Sequence, residues 1–155
     1  MPEKKLAIIA TKGSLDWAYP PLILASTAAA LGYQVQIFFT FYGLQVLKKN
    51  LDLKVTSLGN PGMPMPMPMP VLLQALPGMQ SMMTMMMKQK LKAKGVASVE
   101  ELRELCQEAD VKMVACQMTV DLFDMNPGEF IDGVEFGGAA TFFEFAGESD
   151  ICLYI

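Results

Sequence analysis

The sequence predicts an α/β protein, a three-layer αβα sandwich built on about five mostly parallel strands. Two observations carry that expectation. Short apolar runs with strand character recur along the chain, and segments with helical spacing separate them. Strand, helix, strand, helix is the rhythm of crossover units and therefore of a parallel sheet. A length of 155 residues fits one domain over residues 1–155, with a Met/Pro-rich insertion at about 60–95.

Lys5 to Ala10 reads as a short buried strand, followed by the loop TKGSLD. Asp16 is suited to cap the next helix, whose first turn must then hold Pro20 and Pro21, because proline lacks an N–H to donate further in. That helix runs through LILASTAAALG and stops near Gly32. Tyr33 to Thr40 is rich in β-branched and aromatic residues and reads as a second strand. A short helix over 44–49 follows, then a weaker strand from Leu53 to Leu58. Met63 to Pro70 alternates methionine with proline, which forbids helix and favours an extended polyproline conformation. Pro77 can open a helix that Gly95 ends. Ser98 and Glu101 have capping-box spacing, and Leu102, Leu105, Cys106 and Ala109 share one face of the helix behind them. Val111 to Ala115 is the next strand. A short helix at 118–125, the turn Asn126–Glu129, a segment ending at Gly137 and Gly138, a helix at 139–146 and the terminal strand ICLYI complete the chain. The layout is of flavodoxin-like type.

Composition narrows the function. A 52% hydrophobic fraction against 18% charged residues implies surface spent on an oligomer interface or on membrane contact. A net charge of −4 with no basic stripe argues against nucleic acid. With no histidine, a Cys–His pair, a histidine metal site and a histidine proton relay are all excluded. No cofactor is expected, since neither G-x-x-x-x-G-K-S/T nor G-x-G-x-x-G occurs. No metal is expected either: methionine thioethers suit copper(I), but such sites usually recruit histidine or cysteine, and neither falls in the methionine-rich stretch. Three cysteines cannot close a disulfide framework, and the opening MPEKKLAIIA has too short an apolar run for a signal peptide. Reduced thiols in the cytoplasm are the expectation.

Cys116 stands where an apolar strand gives way to a helix-starting sequence. A cysteine there lies beside a helix N-terminus, whose partial positive charge favours a thiolate. The alternative is a small hydrophobe at a strand end, since free cysteine is among the most buried residue types. Cys106 reads as core, and Cys152 as part of a strand buried on both faces, with a resolving role for Cys116 as its alternative. Thr11, Lys12 and Ser14 share the carboxyl edge of the sheet with Cys116 if their strands are parallel neighbours. Lys12 would then attract anionic donors, or it is a solvated loop lysine. Phe38, Phe39, Phe41 and Tyr42 either wall a pocket there or pack an interface. Gly137 and Gly138 precede a helix and either cradle an anion or permit tight packing.

Ten of the fourteen methionines fall between Met63 and Met87. From Val71 to Met87 the stretch falls short of the ~20 residues a membrane span needs. A helix buried between subunits is the first expectation, and an interfacial helix backed by Lys88, Lys90, Lys92 and Lys94 the second.

The stretches KKLAIIATKGSLD, GNPGMPMPMPMP, LPGMQSMMTMMMK, VACQMTVDLF and GVEFGGAATF resemble the DsrE/DsrF-like family, in its methionine-rich branch sometimes labelled peroxiredoxin-like. No peroxidatic P-x-x-x-T/S-x-x-C motif is present to support that label. The resemblance implies a small α/β protein that self-associates as a trimer, tetramer or hexamer. It implies a sulfur carrier or sulfurtransferase that holds sulfane sulfur as a persulfide on Cys116 and exchanges it with rhodanese-like or TusA-like partners. The competing class is a non-catalytic adaptor, oligomeric or peripheral to a membrane, that holds a partner with its methionine-rich segment.

Overall fold

Among the described residues five parallel strands form one sheet in the order β4-β3-β2-β1-β5. They are β1 (Lys5–Ala10), β2 (Gln34–Phe39), β3 (Lys112–Cys116), β4 (Glu135–Gly137) and β5 (Ile151–Tyr154). The structure is a computed structural model and describes residues 3–56, 62 and 70–155. Strand order dictates the layers. From β1 to β4 the chain steps in one direction, then it returns past three strands to set β5 beside β1. Crossovers between parallel strands are right-handed, so connections made in one direction share a face and the return takes the other.

The helices obey that rule. The crowded face carries α1 (Leu15–Ala30), α3 (Met79–Ala93), α4 (Val99–Glu108) and α5 (Gln117–Leu122), with the short α2 (Val71–Gln74) leading into α3. They bury Leu22, Met83, Cys106 and Val120 against Ile8, Ile37, Phe39 and Met113. Among the described residues the return helix α6 (Ala139–Ala146) alone covers the opposite face, packing Phe142 on Ala7, Phe38, Val114 and Cys116.

The α/β architecture is as the sequence predicts, with one strand exchanged for another. Residues 53–56 form no strand, and 57–58, like the methionine–proline run at 63–69, lie outside the described residues. Leu53 and Val55 are buried as a strand's apolar residues would be. Their backbone partners are different: Lys54 O accepts from Leu15 N, Val55 N donates to Thr84 Oγ1 and Thr56 N donates to Asp16 Oδ1. The segment is thus pinned to the start of α1 and to α3, which leaves it no ladder. The fifth strand is instead β4, three residues long.

Helix α1 starts earlier than expected. Ser14 is its N-cap, and Asp16 lies inside the first turn and holds Thr56. Pro20 and Pro21 therefore fall beyond the first turn, where each removes a helical N–H. Burial of Pro21, Ala18, Leu22 and Ala25 against the sheet offsets that loss. The short helix expected at 44–49 is a 3-10 helix that starts earlier, at Phe41–Leu47. Gly95, at φ 72, follows the end of α3 as anticipated, and the capping box of Ser98 and Glu101 is formed in both directions.

Two expectations about burial fail. β5 is an edge strand whose Ile151, Cys152 and Tyr154 are exposed. Leu105 of α4 and its C-cap Ala109 are exposed, whereas Arg103 is only 6% exposed. Its Nη1 donates to Val46 O at 2.8 Å and Lys48 O at 2.7 Å, satisfying carbonyls at the end of the 3-10 helix. A charged donor to carbonyls out of water contributes more than a neutral one. Arg103→Met is expected to lower stability by about 2 kcal/mol or more in urea unfolding, with Arg103→Lys recovering only part.

Candidate functional site around Cys116

Cys116 ends β3 and is the N-cap of α5. Its side chain faces α6 in the small cluster and is only 5% exposed. Two elements bring polar groups to it. Along α5, Met118 and Thr119 present backbone N–H groups, and Thr119 adds its hydroxyl. From the neighbouring strand end, Thr40 adds a second hydroxyl. The two hydroxyl oxygens lie 3.3 Å apart, and Phe41 N donates to Thr119 Oγ1 at 3.2 Å. Burial pushes the Cys116 thiol up, but the donors from Thr119, Thr40 and Met118 outweigh it, and its pKa lies below the ordinary thiol value.

Thr40 and Thr119 were not anticipated. Thr119 had a legible signal, since it sits three residues beyond an N-cap, where a side chain reaches back toward the cap. Thr40 had none: only the pairing of β2 with β3 carries it to the sulfur.

Of the residues anticipated around Cys116, few converge on it. The loop of Thr11, Lys12 and Ser14 leaves β1 at the same sheet edge, but β2 stands between β1 and β3. Thr11 Oγ1 donates to Ile155 O at 3.0 Å, and Lys12 Nζ lies 4.0 Å from the centre of the Trp17 ring. Ser14 Oγ is buried without a partner at the head of α1. Gly137 is the lateral neighbour of Cys116 in the sheet. A Cβ there would stand 2.6 Å from Thr141 Oγ1, so glycine allows α6 to pack tightly onto β4. A Cβ at Gly138, the N-cap of α6, would meet nothing within 4 Å.

The aromatic run divides. Phe38 and Phe39 are buried on opposite faces of the sheet. Phe41 and Tyr42 are exposed and gather Phe123, which stacks on Tyr42 at 5.8 Å between ring centres. This cluster flanks Thr119 at the rim of the site.

The other two cysteines differ from Cys116 and from each other. Cys106 is wholly buried, with Sγ 3.5 Å from Leu22 O, and burial pushes its thiol up to about 11. Cys152 is exposed on β5. The register aligns it with Lys112 through Ala7 and Gln36. Three strand spacings and four residues then separate it from Cys116, about 20 Å in all. A disulfide needs Cα atoms within about 7 Å, so Cys152 is no resolving partner within one chain.

A parallel α/β protein with a hydrogen-bonded cysteine at the carboxyl end of an inner strand is the class that fold and site define. The chain belongs to the DsrE/DsrF/DrsH-like family, whose profile matches residues 2–154. It is 80% identical over 159 aligned residues to the sulfur carrier protein DsrE2 of Allochromatium vinosum, covering 100% of both chains. It is 32% identical to the uncharacterized protein YrkE of Bacillus subtilis, over 98% of this chain and 97% of that one. The crystal structure of the ychN protein from E. coli shares the fold, with a TM-score of 0.56 at 12% identity over 98% of this chain and 99% of that one.

Thiol chemistry gives an ordered expectation. Iodoacetamide should label Cys152 and Cys116 in the native protein and leave Cys106 untouched until it unfolds. The raised pKa of Cys106 means that folding favours its neutral thiol. That contribution is complete below the unfolded pKa and is lost as pH rises toward about 11. Between about pH 9 and pH 11 urea unfolding should show a loss of about 2–3 kcal/mol, absent in Cys106→Ala relative to its own stability at pH 8.

Proposed function

We propose that the protein is a cytoplasmic sulfur carrier that holds sulfane sulfur as a persulfide on Cys116. The observation that carries this reading is the Cys116 thiol itself, held below its ordinary pKa by hydrogen-bond donors in a chain that has no histidine. The high identity to a protein named as a sulfur carrier supports it.

The chemistry is two successive displacements. The Cys116 thiolate attacks the outer sulfur of a donor R–S–SH. A new S–S bond forms, the donor's S–S bond breaks, and R–S⁻ leaves with the electron pair. The proton stays on the transferred sulfur. An acceptor thiolate then attacks that outer sulfur and Cys116 departs as thiolate. Neither step consumes an oxidant or reductant, and an ionised thiol needs no general base. Rhodanese-like and TusA-like proteins, which carry sulfur on an accessible cysteine, are the proposed donors and acceptors. Lys12 is engaged with Trp17, so Lys12→Glu is expected to change donor reactivity little.

Intact mass after incubation with polysulfide tests the reading. The parent protein should gain a sulfur-sized, reductant-reversible increment. Cys116→Ser in a Cys152→Ser background should gain none, while Cys152→Ser alone should load like the parent. Equal loading of the Cys116→Ser protein would overturn the assignment.

A second surface favours self-association, with an adaptor role as the competing reading. Met82, Met85 and Met86 of α3 and Leu72, Leu73 and Leu76 before it are exposed, whereas Met83 and Thr84 face the core. Among the described residues no helix is long and apolar enough to cross a membrane. We therefore expect this patch to be covered by a second copy. Replacing Met82, Met85 and Met86 with glutamate should yield smaller species in light scattering. An unchanged mass with lost binding to anionic liposomes would instead assign the patch to a membrane surface.

A further inference from the structure

An ionised Cys116 is required by the carrier chemistry above, on which this inference rests, yet among the described residues no base and no cation touches the sulfur. The charged groups on the elements around it are Lys112 on β3, Glu135 on β4, Asp121 on α5 and Glu144 on α6. Lys112 and Glu135 pair at 3.8 Å, Asp121 Oδ1 accepts from Gln117 Nε2 at 2.9 Å, and Glu144 is exposed. The β2 strand and the 3-10 helix after it carry no charged residue. Hydrogen-bond polarity is what remains.

We propose that the Phe41 backbone N–H and the Thr119 hydroxyl form a one-way donor relay, seconded by Thr40, that holds Cys116 as a thiolate. A hydroxyl has one proton and two lone pairs. The Phe41 amide can only donate, and it occupies a lone pair of Thr119 Oγ1. The Thr119 proton is thereby turned away from Phe41, toward the side where Thr40 Oγ1, at 3.3 Å, and the Cys116 sulfur lie. Thr119 is fully buried, so no water competes for that proton. A thiolate accepts from both hydroxyls, whereas a neutral thiol brings a proton of its own into a ring of donors. The site's polarity therefore favours the anion.

The backbone that delivers the amide is held in a conformation that bulky residues rarely adopt. Phe41 has φ 49, in the left-handed region. Contacts on both sides fix it there. Thr40 N donates to Ala10 O, and Gly43 N donates to Thr40 O, each at 3.0 Å. Gly43 passes so close to β1 that a Cβ would lie 2.3 Å from Ala10 O, and a Cβ on Gly13 would lie 2.3 Å from Tyr42 O. The Phe41 amide is a positioning group that acts through Thr119, whose hydroxyl is the donor offered to the reacting sulfur. The same donors stabilise Cys116 as it departs in the second displacement, because a more acidic thiol leaves faster.

The test is the thiolate titration of Cys116 in a Cys152→Ser background, read by ultraviolet thiolate absorbance and by the pH dependence of iodoacetamide alkylation. Thr119→Val keeps the shape and removes the hydroxyl. It should move the titration upward and slow alkylation at pH 7 about tenfold. Thr119→Ser should titrate like the parent, which a merely steric role for threonine would not give. Thr40→Val should shift the titration the same way by less, and it serves as the deciding variant if Thr119→Val does not fold. A folded Thr119→Val that titrates like the parent overturns the relay, as does a Thr119→Ser that shifts as far as valine. Sulfur loading by intact mass keeps the two readings apart. A parent that takes up no sulfur while Thr119→Val still shifts the titration sinks the carrier reading and leaves the relay standing.

Discussion

Right-handed crossover is the constraint on which the rest of this structure depends. Parallel strands cannot be joined by tight turns, so each carboxyl end must open into a crossover on a face fixed by direction of travel. Three steps outward fill one face with α1, α3, α4 and α5, and one step back leaves the other to α6. Cys116 points to that thinner side, at the point where β3 passes directly into α5. Its neighbours are therefore strand ends and first turns, where backbone N–H groups have no partner in a ladder or helix.

Those free donors decide the chemistry available to the sulfur. Burial opposes ionisation of both Cys106 and Cys116. Cys106, near the end of α4, lies near Leu22 O and stays a thiol far into the alkaline range. Cys116 meets two hydroxyls and two amides, and the balance reverses. The same side chain thus has opposite character at two places in one small protein, and the number of donors within reach is what separates them.

The apolar character of the chain has a structural counterpart as well. Helix α1 carries one charged residue, Asp16, and its outer side shows Trp17, Ile23 and Leu24. Exposed methionine and leucine on α2 and α3 add to the apolar surface. A helix that is apolar all round is ordinarily covered on every side. The self-association proposed above would account for this surface and for the sparse charge with one cause.

Local pattern was enough for much of the fold. The strand at Lys5–Ala10, the capping box at Ser98, the helix at Ala139–Ala146 and the placement of Cys116 at a strand end follow from periodicity, capping chemistry and β-branched runs, all of which act within a few residues. The relationship of the chain to its family was equally legible. Tertiary contacts settled what local pattern could not. Residues 53–56 have a strand's apolar alternation, yet their N–H and C=O groups go to α1 and α3. Lys12, Thr11 and Ser14 reach the right edge of the sheet but the wrong strand, because order is set by crossover direction, which no single segment encodes. Thr40, far from Cys116 in sequence, becomes its partner only when β2 pairs with β3. The sequence determined which sulfur lies at a strand end. Strand order decided which hydroxyls would meet it, because the groups that ionise a buried thiol must touch it and contact belongs to the folded chain.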